Sequence, residues 1–170
     1  MGKSNLILIG MPGAGKSTVG VILAKALGKT FIDTDQLIQK NEGRPLQDII
    51  NRDGLEKFLV IEENTLLGLN AHNSIIATGG SAVYSGKAME QLKANGSIVY
   101  LKVGLFKLTQ RLKNMRTRGI AMKNGQSLND LYRERALLYE KHADITIDCT
   151  HKHMEKIIFE IKEKYFQKIE

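Results

Sequence analysis

One cysteine, Cys149, stands among the 170 residues, so an internal disulfide is excluded and a reducing compartment suits the chain. Long apolar runs are absent. None approaches the roughly 20 residues that cross a bilayer. The first apolar stretch, in "MGKSNLILIG", is interrupted at once by a glycine motif and does not have the form of a signal peptide. Leu6 stands where a myristoylation pattern has Ser or Thr. A cytoplasmic protein without a membrane partner is therefore expected. Acids are in short supply: 18 Asp and Glu face 25 Lys and Arg, a net charge of +7. The lysines are spread along the chain, and "EKIIFEIKEKYFQKIE" alternates its signs as a solvated helix face does. The excess of positive charge then points to a small acidic ligand, and no nucleic-acid partner is expected.

What is present is an alternation of short apolar runs with amphipathic stretches. Strands are expected at 5–10, 30–33, 74–80, 97–103 and 144–149. Helices are expected between them, the first from Lys16 to Leu27, another through "PLQDIINRDGLEKFLVIEENTLLGLN". Short β-rich runs separated by helices indicate an α/β fold with a parallel sheet covered on both faces. With no repeat or linker, residues 1–170 read as one domain. The polar, basic stretch "RTRGIAMKNGQS" reads as a mobile loop between two helices.

"GMPGAGKS" at 10–17 matches G-x-x-x-x-G-K-[ST] at every fixed position, after an expected strand and at the start of an expected helix. Its glycines let backbone N–H groups turn inward on phosphate oxygens, and the helix N-terminus adds partial positive charge. Gly13, Ala14, Gly15, Lys16, Ser17 and Thr18 are the expected nucleotide-binding residues. Lys16 is expected to reach the β- and γ-phosphates, and Ser17 to offer its hydroxyl to Mg²⁺.

"FIDTD" at 31–35 carries two carboxylates one residue apart. On an extended strand they would project to the same side and repel, unless a positive group sits beside them. A metal and Lys16 would supply that charge. Other expected strand ends at 80 and 103 carry no acid, so Asp33 is the candidate Mg²⁺ partner. Asp35 is left to face the phosphoryl acceptor and take a proton from its hydroxyl. Either residue is also a good cap for the helix that follows. "TGG" at 78–80 would let a ligand approach the backbone closely. Arg111, Arg116, Arg118, Arg133 and Arg135 cluster around the expected loop, where an arginine neutralises charge on a transferring phosphoryl group. Arg133 and Arg135 face different sides of one helix, so one of them is expected to point at the site. The histidines show no ligand spacing, and no metal beyond Mg²⁺ is expected.

Taken in order, "GMPGAGKST", "FIDTDQLI", "GLEKF" with Glu62, "TGGSAV" and "RERALLYEKHAD" resemble the shikimate kinase family over most of the chain. The resemblance implies a P-loop, nucleoside-monophosphate-kinase-like fold with a five-stranded parallel sheet in the order 2-3-1-4-5. It also implies a small substrate-binding helical region near 36–65 and a closing lid near 114–127. It gives Asp33 to Mg²⁺ and Asp35 to the shikimate hydroxyls as base. Gly79, Gly80 and Ser81 fall on the glycine triplet that contacts shikimate, and Arg135 on the arginine that grips its carboxylate. Arg118 falls on the lid arginine and Arg111 on the adenine side. The implied activity is transfer of the γ-phosphate of ATP to shikimate, by a monomer. Three positions depart from the pattern: Leu59 replaces the arginine of F-R-x-x-E, Ser81 the third glycine, and "RGI" at 118–120 the lid's R-P-L. Leu59 keeps open a related kinase of another small hydroxylated metabolite or a nucleotide, with Arg52 or Lys57 as stand-ins for the missing arginine.

Overall fold

A computed structural model describes residues 4–113 and 119–169. The apolar run Asn5–Ile9 forms β1 and is buried at every position, as expected of a strand covered on both faces. It lies at the middle of a five-stranded parallel sheet with the order β2-β3-β1-β4-β5. The other strands are β2 (Thr30–Asp33), β3 (Ser74–Ala77), β4 (Gly96–Lys102) and β5 (Ile145–Asp148). The helices are α1 (Lys16–Leu27), α2 (Thr34–Glu42), α3 (Leu46–Asp53), α4 (Leu55–Leu67), α5 (Gly86–Asn95), α6 (Leu105–Lys113), α7 (Leu128–His142) and α8 (Met154–Ile169). Helix α1 packs on β1, β2 and β3 and against α8, which covers β5, while α5 and α7 cover β4. Ile157, Ile161 and Tyr165 recur every fourth residue and bury one face of α8, so only the rest of that charged helix is solvated.

The register assembles the site. Asp33 at the end of β2 and Leu8 near the end of β1 both align with Ala77 at the end of β3. The glycine loop, the "DTD" segment and the "TGG" turn therefore leave the sheet side by side, at the carboxyl edge where open α/β sheets bind ligands. A second apolar cluster joins Ile38, Leu46, Ile49, Phe58 and Ala121, from α2, α3, α4 and the segment before α7. It fastens the three short helices together beside that edge.

The structure corrects three expectations. The strand at 74–80 stops at Ala77, and the Thr78 N–H and hydroxyl both donate to the Leu8 carbonyl, at 3.1 and 3.0 Å, where the chain leaves the sheet. The single helix expected through 45–70 breaks at Gly54, whose φ of 87° is outside the helical region. Asp33 and Asp35 are not strand neighbours. The Asp33 carboxylate accepts from the N–H groups of Asp35 and Gln36, ends the strand and places Asp35 in the first turn of α2. No described helix is long and apolar enough to cross a membrane.

Candidate active site

A cavity of about 320 Å³ opens at this edge, lined by the glycine loop, Asp33, Asp35, Gly79, Gly80, Ser81 and Arg135. The loop runs into α1, whose N-terminal turn carries no acid. Gly13, Gly15, Lys16, Ser17 and Thr18 line the cavity. Ala14 does not line it: it is buried, and its N–H donates to the Met11 carbonyl at 3.1 Å. Lys16 is buried and its Nζ donates to the carbonyls of Gly10 at 2.7 Å and Met11 at 2.9 Å. Burial brings its pKa down to about 8, against the opposing pull of the Asp35 carboxylate. Arg111 stands behind the loop, and its Nη1 donates to the Gly13 carbonyl at 2.8 Å.

Ser17 donates its hydroxyl to Asp33 Oδ2 at 2.6 Å, while Asp33 Oδ1 caps α2. The cap and the Ser17 contact thus occupy different oxygens of one carboxylate. Ser17 and Asp33 present two hard oxygens side by side on the cavity wall, a donor set that fits Mg²⁺, which is held through one or two protein oxygens together with phosphates and waters. Among the described residues no group of three His, Cys, Asp or Glu is placed to hold a metal.

The middle residue of "DTD" joins the second segment to the third: Thr34 Oγ1 accepts from the Gly79 N–H at 3.2 Å. A Cβ at Gly79 would displace the carboxylate ends of both Glu62 and Asp35, so glycine leaves these two acids in place. Glu62, on α4, is buried, and its Oε2 accepts from the Ser81 hydroxyl at 2.5 Å. Its Oε1 has no hydrogen-bond partner among the described residues. Burial, partly offset by the Ser81 hydrogen bond, pushes the Glu62 carboxyl up to about 7.

Arg135 is fully buried, whereas Arg133 is exposed. The Arg135 guanidinium lies over the Tyr84 ring at 5.2 Å, Nε donates to the Tyr84 hydroxyl at 3.2 Å, and Nη2 donates to the Ala121 carbonyl. Nη1 has no partner among the described residues. Tyr84 in turn donates to Glu134 at 2.5 Å. Tyr139 stacks on Tyr100 and donates its hydroxyl to the Gly80 carbonyl at 2.6 Å.

The cavity therefore brings together Lys16, Ser17, Asp33, Asp35, Gly79, Gly80, Ser81 and Arg135. Arg118 and Arg116 lie outside the described residues. Arg52 and Lys57 do not stand in for an arginine at 59: both are exposed, neither lines the cavity, and Lys57 pairs with Asp53 at 3.4 Å. Three residues that hold the cavity lining in place had no role in the sequence reading: Glu62 on Ser81, Tyr84 on Arg135 and Thr34 on Gly79. Only Glu62 left a signal, an acid four residues after Phe58 on the buried face of an apolar helix.

A family model for shikimate kinase matches residues 12–166. The chain belongs to the shikimate kinase family. A shikimate kinase of Persephonella marina is 34% identical over 158 residues, 92% of this chain and 96% of that protein. Threonine synthase-like 1 of Homo sapiens is 38% identical over 151 residues, which are 88% of this chain and 20% of that protein. The shikimate kinase of Acinetobacter baumannii, solved in complex with shikimate, superposes with a TM-score of 0.89 at 30% identity, covering 97% of this chain and 94% of that one. One departure from the shikimate kinase pattern now has a physical reason. A Cβ at Gly119, where the pattern has proline, would come within 2.7 Å of the Gln47 nitrogen and 2.9 Å of Leu46 Cβ. Glycine lets this segment press on the start of α3.

Proposed function

We propose that the chain transfers the γ-phosphoryl group of ATP to a hydroxyl of shikimate, giving shikimate 3-phosphate and ADP. One observation carries this reading above all: the P-loop lysine and serine share a single cavity with Asp35, Gly79 and the buried guanidinium of Arg135. Lys16 exchanges its two carbonyl partners for β- and γ-phosphate oxygens, and the loop N–H groups and the start of α1 hold the rest of the triphosphate. Ser17 and Asp33 would hold Mg²⁺, and the chemistry the ion supplies there is charge neutralisation at the phosphate oxygens. Asp35 accepts the proton of the acceptor hydroxyl as its oxygen bonds to phosphorus and the bond from phosphorus to the ADP oxygen breaks. Arg135 offers Nη1 to the acceptor carboxylate as a charge-assisted donor. Gly79 and Gly80 let the acceptor approach the backbone. Arg118 neutralises the phosphoryl group in transit, and Arg111 flanks the nucleotide base beside the loop it holds. The free, buried thiol of Cys149 suits action in the reducing cytoplasm.

The test is a coupled ADP-release assay with Mg²⁺ATP and a panel of alcohols. Release stimulated by shikimate, with a phosphomonoester product seen by mass spectrometry, is the expected result. Stimulation by a different alcohol and not by shikimate would reject the assignment of the acceptor.

A further inference from the structure

Leu59 and Glu62 are three residues apart on α4 and so share a face of that helix. A cation at 59 would reach the Glu62 carboxyl. Leucine cannot, and the carboxyl is buried all the same. Leu59 instead lines a second, smaller cavity of about 170 Å³. Glu62 and Ser81 line that cavity too, and Ser81 also lines the larger one. Ser81 thus stands between the two cavities, and the 2.5 Å hydrogen bond joins it to Glu62 on the side of the smaller one. A glycine at 81 would leave both oxygens of the buried carboxyl without the hydroxyl that now donates to it, a costly arrangement for such a group.

We propose that Ser81 is a positioning residue that replaces a cation at position 59: it holds Glu62, and the pair fixes the Gly79–Ser81 turn against which the acceptor lies. The identities at 59 and 81 then depend on each other and together set acceptor affinity. This inference rests on the reading of the larger cavity as the acceptor site. The turn is held at three points, by Thr34 at the Gly79 N–H, by Tyr139 at the Gly80 carbonyl and by Glu62 at the Ser81 side chain. Only the last depends on a residue at which the chain leaves its family's pattern.

The experiment is a double-variant cycle of Ser81→Gly and Leu59→Arg, with KM and kcat for shikimate measured by ADP release. Loss of the hydrogen bond to Glu62 is expected to raise KM about tenfold in Ser81→Gly, with a smaller fall in kcat. Leu59→Arg is expected to lower KM by a clearly larger factor in the Ser81→Gly background than in the parent, where Ser81 already holds Glu62. An unchanged KM in Ser81→Gly, or effects that simply multiply in the double variant, would overturn the proposal. A protein with no shikimate-stimulated ADP release would reject the proposed acceptor, and melting temperatures would then decide the brace. Ser81→Gly should lower the melting temperature by about 4–8 °C, and Glu62→Gln combined with it should lower it no further. Independent, additive losses would mean that the two side chains do not act as a pair.

Discussion

Asp33 does two things with two oxygens, and two substitutions separate them. Asp33→Asn keeps an Oδ1 that accepts from the N–H groups of Asp35 and Gln36, while its amide still bonds the Ser17 hydroxyl. What it loses is the negative charge. Asp33→Ala loses the charge, the cap and the Ser17 hydrogen bond. An N-cap contributes about 1 kcal/mol, and the partly buried Ser17 contact adds about another 1 kcal/mol. At about 2–4 °C per kcal/mol for a chain of this length, Asp33→Ala should melt about 4–8 °C lower, and Asp33→Asn within about 2 °C of the parent. Both should lose most shikimate-dependent ADP release at ordinary Mg²⁺, because a neutral amide is a poor magnesium partner. Raising Mg²⁺ should recover part of the activity of Asp33→Asn. An Asp33→Asn protein with normal turnover and normal magnesium dependence would reduce Asp33 to a helix cap and refute the reasoning.

Other consequences follow from the buried groups. Glu62 has its carboxyl raised by burial from 4.5 to about 7. The folded state therefore holds the proton more tightly, and this stabilisation is present below about pH 4.5 and lost as pH rises through 7, a contribution on the order of 3 kcal/mol. Melting curves between pH 5 and 8 should show this fall in the parent and a flatter profile in Glu62→Gln; equal slopes would mean that Glu62 titrates normally. Tyr84→Phe leaves Arg135 Nε without its hydroxyl acceptor. It should raise KM for shikimate about tenfold while leaving KM for ATP within about twofold, as expected for one lost hydrogen bond to a buried charge; steady-state kinetics with each substrate varied checks this. Asp35→Asn should abolish transfer while shikimate still binds, measured by calorimetry; near-normal turnover would remove it as the base.

The sheet was legible because each strand is a short apolar run bounded by turn or helix signals, and "GMPGAGKS" carries a chemistry that few other patterns share. The pattern of apolar runs did not show that Gly54 breaks a helix, because a helix tolerates an isolated glycine at a cost of only about 1 kcal/mol. It also did not show how Asp33 and Asp35 are related. Strand alternation assumed extended backbone through Thr34, whereas the Asp33 carboxylate captures two N–H groups and starts a helix. The wiring around the acceptor end was least visible. Ser81 and Glu62 are 19 residues apart, Tyr84 and Arg135 51, and Tyr139 and Gly80 59. Nothing local marks such pairs, and their partners are decided by the packing of α4 and α7 against the Ala82–Tyr84 turn that follows β3. Leu59 and Ser81 looked like two separate losses in the sequence. In the fold they line one small cavity together with Glu62, which Ser81 holds by a hydrogen bond.

A crystal structure with a non-hydrolysable ATP analogue, Mg²⁺ and shikimate tests the central claim most directly. The γ-phosphate is expected beside Lys16, the metal against Ser17 and Asp33, and a shikimate hydroxyl within hydrogen-bond distance of Asp35, with the carboxylate on Arg135. Shikimate bound away from Asp35 and Arg135, or a metal remote from Asp33, would contradict it.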